Sequence, residues 1–216
     1  MPADAVVVVD VLRFTTAVDA AVSRGAIVFP YRWKDDSAAE YAARVGAVLA
    51  DPGDAMGPSL SPVSLLSLQA GDRLVLPSPN GSTCAAAAST MGATVVAGCL
   101  RNAAAIVSWL NDHAKTVSVI ACGERWPDGS LRPSIEDYLG AGAVIAALGG
   151  SRSPEATAAA GSWLAAAPRV RQVVSACESG KEVVARGWDR DLEFAVAVNA
   201  SESVPVLEDG FVDANG

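Results

Sequence analysis

An acid, a guanidinium and two hydroxyls stand close together near the start of the chain: Asp10, Arg13, Thr15 and Thr16, within VVVVDVLRFTTAVDAAVSRGA over residues 6–26. The apolar run Val6–Val9 carries Asp10 to the end of a predicted strand. A helical pattern then opens at Thr15 and Thr16 and closes at Gly25. Carboxylate oxygens suit a hard cation such as Mg²⁺, and a guanidinium beside fresh helix N–H groups suits a phosphate. The same residues also suit an ordinary strand-to-helix turn, with Thr as N-cap and Arg at the surface.

Further along, PSPNGSTCAA places Asn80, Gly81, Ser82 and Thr83 after another apolar run. Asn-Gly tolerates left-handed backbone, and the following N–H groups open a helix at Ser82, which makes either an anion nest or a plain turn with its N-cap. AGCLRNAAA offers Arg101 and Asn102, the latter also a natural N-cap. Gly123, Glu124 and Arg125 follow a further apolar run. Glu136 and Asp137 fall in the first turn of a helix behind Ser134, where the helix dipole favours acids and only one of two adjacent carboxylates faces a given side. Trp126, Trp163 and Trp188 read as packing residues, and the single histidine, His113, as a solvated surface residue.

The elements that must hold these residues alternate. Predicted strands cover 5–9, 26–31, 47–50, 73–76, 94–97 and 117–122, as continuous apolar runs of the kind buried on both faces. Predicted helices fall near 16–24, 36–45, 62–69, 82–91 and 102–113, the first with a loose capping box from Thr16 to Asp19. This rhythm predicts an α/β fold of three layers, α/β/α, around a mostly parallel sheet. Ligands bind beyond the carboxyl ends of such strands, so four strand ends are expected to direct polar groups to one rim. After residue 122 the chain turns helix-rich, from a polar loop through a helix near 135–148 to about 186, with one short strand near 203–207 and a polar end, 208–216, expected to fray. No Ser/Gly linker divides the sheet-rich 1–122 from the helix-rich 123–216, so a single compact unit is expected.

The 216 residues carry a formal net charge of −8, a poor balance for a nucleic-acid binder, since each phosphate contact needs a Lys or Arg. A small phosphorylated metabolite needs only a local cationic pocket. The four cysteines form no CxxC pair or cluster, and no apolar stretch is as long as a membrane span, so a reduced, cytoplasmic chain without a membrane partner is expected. The alanine-rich helices leave room for a homodimer interface. Several phosphate chemistries fail on residue type. No cysteine is followed six residues on by Arg, one histidine is too few for a phosphohistidine pair, and Leu12 stands where an aspartyl-phosphate enzyme needs its second Asp. P-loop and dinucleotide glycine patterns are absent. Metal-assisted attack by water survives.

Taken in order, DVLRFTTAVDAAVSRGA, LVLPSPNGS, AGCLRNAAA, IEDYLGAGA, GWDRDL and Val204-Pro205 resemble the 2-phosphosulfolactate phosphatase family over residues 5 to 207. That resemblance implies a Mg²⁺-dependent hydrolase releasing phosphate from 2-phospho-3-sulfolactate, a small sulfonated acid. The expected metal ligands are Asp10 with Glu136, Asp137 and Asp191. Arg13, with Thr15, Thr16, Gly81 and the Ser82 and Thr83 amides, is expected to hold the phosphoryl group, with Asn80 and Asn102 orienting it. Arg125 is expected at the carboxylate or sulfonate end, with Glu124 and Glu136 among the catalytic groups and Glu124 handling a proton. The chain departs from the family in ADPGDAMGPSLSP, where Asp51 replaces Glu and Leu60 replaces Asn. A phosphatase for another small phospho-hydroxy acid, and a non-catalytic anion-binding relative, therefore stand as alternatives.

Overall fold

Five apolar residues, Ala5–Val9, form β1, and all five are buried. The computed structural model describes residues 3–33, 35–51 and 57–215. β5 (Thr94–Gly98) and β6 (Val117–Ala121) flank β1 in parallel, with Ala5 opposite both Thr94 and Val117. Alternate residues of β1 enter different cores. Ala5, Val7 and Val9 pack with α4 (Ala103–His113), α5 (Ile135–Ala147) and the C-terminal helices. Val6 and Val8 pack with α1 (Phe14–Val22) and α3 (Gly81–Ser89). Helices thus cover both faces, which is why the strands read as unbroken apolar runs rather than alternating ones.

The remaining strands are β2 (Ile27–Tyr31), β3 (Val48–Leu49), β4 (Arg73–Pro77), β9 (Pro205–Leu207) and β10 (Phe211–Asp213). Among the described residues they build an eight-stranded sheet ordered β3-β4-β2-β10-β9-β5-β1-β6. The sheet is mostly parallel within two groups, β3-β4-β2 and β5-β1-β6, and the three antiparallel pairings made by β9 and β10 set those groups in opposite directions. A separate two-stranded hairpin pairs β7 (Glu124–Arg125) with β8 (Leu131–Arg132). The other helices are α2 (Ser37–Val45), α6 (Pro154–Ala166), α7 (Val170–Ala176), α8 (Glu178–Ala185) and α9 (Asp189–Ala195). α5 and α6 meet so closely that a Cβ on Gly142 would come within 2.3 Å of the Ala159 carbonyl oxygen.

Four local expectations need correction. The strand expected over 47–50 is the two-residue β3, and the helix expected near 62–69 is a 3₁₀ turn, Pro62–Ser67. Thr16 and Asp19 form no capping box: the Thr16 hydroxyl donates to Val11 O, and Asp19 pairs with Arg101. The end of the chain does not fray. Phe211 is fully buried and meets Phe14 edge-on at 6.2 Å, so a three-residue strand inside a polar stretch lies in the middle of the sheet. Among the described residues no helix is long and apolar enough to cross a membrane.

Candidate active site

Asp10 leaves β1 at its carboxyl end and is fixed at once by backbone. Its Oδ1 accepts the Phe14 N–H at 3.1 Å and its Oδ2 the Gly81 N–H at 3.0 Å. Residue 81 has to be glycine, since a Cβ there would lie 2.2 Å from the Phe14 ring and 2.8 Å from Asp10 Oδ2. The Thr15 hydroxyl accepts from Asp10 N–H and donates to Asp10 O, so both buried threonines shape the turn instead of facing a ligand. Burial, reinforced by the nearby acids Glu124 and Glu136, raises the Asp10 carboxyl to about 7.

The other acids are engaged elsewhere. Asp137 accepts the Val11 N–H at 2.7 Å and the Gly123 N–H at 2.9 Å, so one carboxylate ties together the loops after β1 and β6. Burial pushes it well above the usual carboxylate range, against those two hydrogen bonds. Asp191 accepts from Arg13 Nη1 at 2.5 Å and from the Ser61 hydroxyl. The Arg13 guanidinium lies 3.9 Å from the centroid of the Trp188 ring, which fixes its plane. Glu136, 2% exposed, accepts the Cys177 thiol at 3.3 Å behind the site.

A cavity of about 530 Å³ opens at this rim, and Asp10, Arg13, Asn80, Glu124 and Arg125 all line it. Asn80 Nδ2 donates to Glu124 Oε2 at 2.7 Å, joining the loop after β4 to the β7–β8 hairpin. Arg125 is exposed and donates to Gly129 O at 3.0 Å. Thr15, Thr16, Gly81, Ser82, Thr83, Asn102, Glu136, Asp137 and Asp191 do not line this cavity. The first free amide of α3 goes to Asp10 Oδ2, and the Ser82 hydroxyl turns back to Leu76 O. Asn102 accepts the Cys99 N–H and donates to Ala97 O, and Arg101 pairs with Asp19 at 2.9 Å beneath the Phe194 ring. The strand end of β5 therefore contributes structure, and three strand ends rather than four supply polar groups to the cavity.

Sequence reasoning missed a whole wall: Trp126, Arg132, Ser179, Glu182, Arg186 and Trp188. The usable signal was Trp126-Pro127-Asp128-Gly129, a turn flanked by Arg125 and Arg132 that sets Glu124 opposite Arg132 in the hairpin. Leu60, the departure noted in the sequence, also lines the cavity, whereas 52–56 of that segment lie outside the described residues.

Mg²⁺ binds through one or two carboxylates, several waters and substrate phosphate oxygens rather than a dedicated protein cage. Among the described residues no three His, Cys, Asp or Glu side chains gather as a ready ligand set. Asp10 and Glu124 nonetheless present two carboxylates to one cavity, whose third, Glu182, is paired with Arg132, and among the described residues no ion pair neutralises Asp10. That donor set fits a largely hydrated Mg²⁺.

A family model described as 2-phosphosulpholactate phosphatase matches residues 1–210. A protein of Methanothermobacter thermautotrophicus named 2-phosphosulfolactate phosphatase is 28% identical, over 96% of this chain and 88% of its own length. One of Carboxydothermus hydrogenoformans, named probable 2-phosphosulfolactate phosphatase, is 29% identical, over 93% and 85%. A third, of Thermotoga petrophila and with the same qualified name, is 24% identical, over 94% and 89%. With the match running from the Asp10 strand to the β9–β10 hairpin, the chain belongs to the 2-phosphosulfolactate phosphatase family, a family of phosphoric monoester hydrolases.

Proposed function

We propose that the chain hydrolyses 2-phospho-3-sulfolactate to 3-sulfolactate and phosphate, and that the reaction depends on Mg²⁺. The observation that carries this reading is the cavity itself, where the carboxylates of Asp10 and Glu124, and that of Glu182 paired with Arg132, stand among the guanidinium groups of Arg13, Arg125, Arg132 and Arg186. The substrate carries close to four negative charges at neutral pH, about two of them on the phosphate. A wall rich in arginine answers that charge locally on a chain that is acidic overall.

Asp10 is the protein carboxylate that holds the ion. Bound Mg²⁺ would polarise the phosphoryl oxygens and lower the pKa of a coordinated water. Arg13, locked by Asp191 and Trp188, grips the phosphoryl oxygens and neutralises charge that develops on them. Glu124, aimed by Asn80, takes the proton of the attacking water as the new P–O bond forms, and a proton passes to the departing alkoxide oxygen of the hydroxy acid as the ester bond breaks. Asp137 and Glu136 stand behind, the first fixing the strand ends.

Phosphate release from 2-phospho-3-sulfolactate tests the reading. Activity is expected to vanish with EDTA and return with Mg²⁺. Asp10→Asn is expected to lower kcat on the order of 10²–10³-fold. Full turnover without divalent metal, or a near-normal rate in that variant, refutes the scheme. The apolar Leu60 in the cavity wall supports a second reading, a different small phospho-hydroxy acid as substrate. A panel of such esters separates the two by kcat/KM.

A further inference from the structure

The cavity wall around Arg132 has its own architecture. The β7–β8 hairpin sets Arg132 directly across from Glu124. Arg132 is 8% exposed, yet it lines the cavity. Its two terminal nitrogens meet Glu182 of α8 end-on, Nη1 to Oε1 at 3.1 Å and Nη2 to Oε2 at 3.3 Å. The Trp126 ring lies 5.6 Å from the guanidinium carbon. An end-on fork uses one N–H from each terminal nitrogen and leaves the Nε edge of the guanidinium. No other acceptor among the described residues takes that edge.

Ser179 stands one helical turn before Glu182, in the first turn of α8. It is 5% exposed, lines the same cavity, and its hydroxyl has no partner among the described residues. Because its oxygen is open to the cavity, the hydroxyl is free to donate to a polar group that enters there. The positive end of α8 adds to the attraction for an anion.

We propose that Arg132 and Ser179 form the subsite for the substrate's sulfonate, with Glu182 and Trp126 holding the guanidinium in place. This rests on the function proposed above and assigns the far end of that substrate, which sequence reasoning had given to the exposed Arg125. Two N–H groups on the Nε edge and one hydroxyl make three donors, matching the three equivalent oxygens of a sulfonate better than the two of a carboxylate. A sulfonate is also a weak metal ligand. The carboxylate, attached to the carbon that bears the phosphate ester, remains at the Asp10 wall.

Arg132→Gln, Arg132→Lys and Ser179→Ala would be assayed on 2-phospho-3-sulfolactate and on 2-phospholactate, which has a methyl group in place of the sulfomethyl. For Arg132→Gln the loss of kcat/KM on the sulfonated ester is expected to exceed that on 2-phospholactate by about 30-fold or more, mainly through KM. Arg132→Lys keeps the charge without the fork and should fall between, while Ser179→Ala should show about a tenfold difference. Equal losses on both esters, or no loss on the sulfonated one, overturn the assignment. Calorimetry needs neither turnover nor an Arg132 variant that folds. Wild-type protein is expected to bind 3-sulfolactate at least about tenfold more tightly than lactate, an advantage that Ser179→Ala diminishes; equal binding of the two acids overturns the subsite. If the wild type hydrolyses neither ester but still prefers 3-sulfolactate, the proposed activity fails while the subsite stands.

Discussion

Arg13 is held from two directions, by the Asp191 carboxylate at 2.5 Å and by the Trp188 ring at 3.9 Å, with side-chain exposure of 11% for Arg13 and 3% for Asp191. Asp191 is in turn engaged by the Ser61 hydroxyl. A guanidinium immobilised in this way meets a phosphoryl group without first losing rotamer freedom, which lysine cannot reproduce. Arg13→Lys is therefore expected to lower kcat/KM about 100-fold, a loss in the range of a charge-assisted fork. Asp191→Asn should act more weakly on rate but more strongly on stability, because it leaves a largely buried cation without its partner, at about 3–5 kcal/mol. Steady-state kinetics beside urea melts separate the two. An Arg13→Lys enzyme within twofold of wild type would exclude Arg13 from the phosphoryl site.

At the next scale, β1 is pinned at both ends by carboxylates from outside its own ladder. Asp137 holds the carboxyl end, and Asp4 holds the other, accepting the Lys115 and Thr116 N–H groups and the Thr116 hydroxyl. Those hydrogen bonds from Thr116 lower the Asp4 carboxyl below its usual range. A depressed folded-state pKa contributes stability above the unfolded value and loses it as pH falls through the folded one. Asp4→Asn should thus melt below wild type at pH 7, with the gap closing towards pH 3; a gap constant across thermal melts from pH 7 to 3 would contradict the linkage.

The central strand β1 was legible because a strand buried on both faces must be apolar throughout, and Ala5–Val9 has that composition; β6, at the sheet edge, carries Ser118 and is only partly buried. Asp10, Arg13, Glu124 and Arg125 were legible because they follow β1 and β6, adjacent parallel strands whose carboxyl ends converge, whereas Asn80 follows β4 in the oppositely directed half and is brought in by the turn into α3, where Gly81 N–H meets Asp10. For Asp137, expected as a ligand, residue type and position do not reveal that two backbone N–H groups bond to its oxygens. Arg132 and Ser179 were invisible because a two-residue hairpin and the first turn of a late helix leave no periodicity to read. β10 failed for the same reason, its three residues lying inside a polar segment.

Across the whole molecule the sheet has two internally parallel halves, β3-β4-β2 and β5-β1-β6, that run in opposite directions and are joined by the β9–β10 hairpin. Val206 pairs with Val96 on one side, and Phe211 pairs with Val28 on the other. The cavity rim draws on both halves, since Asp10 and Glu124 follow β1 and β6 while Asn80 follows β4. The β9–β10 hairpin therefore completes the platform on which that rim stands. Such long-range pairing predicts slow folding. Phe211→Ala removes a fully buried ring from the junction with Phe14 and should cost about 3–5 kcal/mol, or roughly 10 °C in Tm for a chain of this size. Removing residues 203–216 goes further, leaving Val28 and Val96 facing an unfilled gap in the sheet. The truncated chain is expected to lose its single cooperative urea transition and to bind a hydrophobic dye, as a collapsed state without fixed packing does. If it melted instead in one sharp step at the wild-type midpoint, the helix α1, which packs against both halves, would be the joint and the hairpin an accessory.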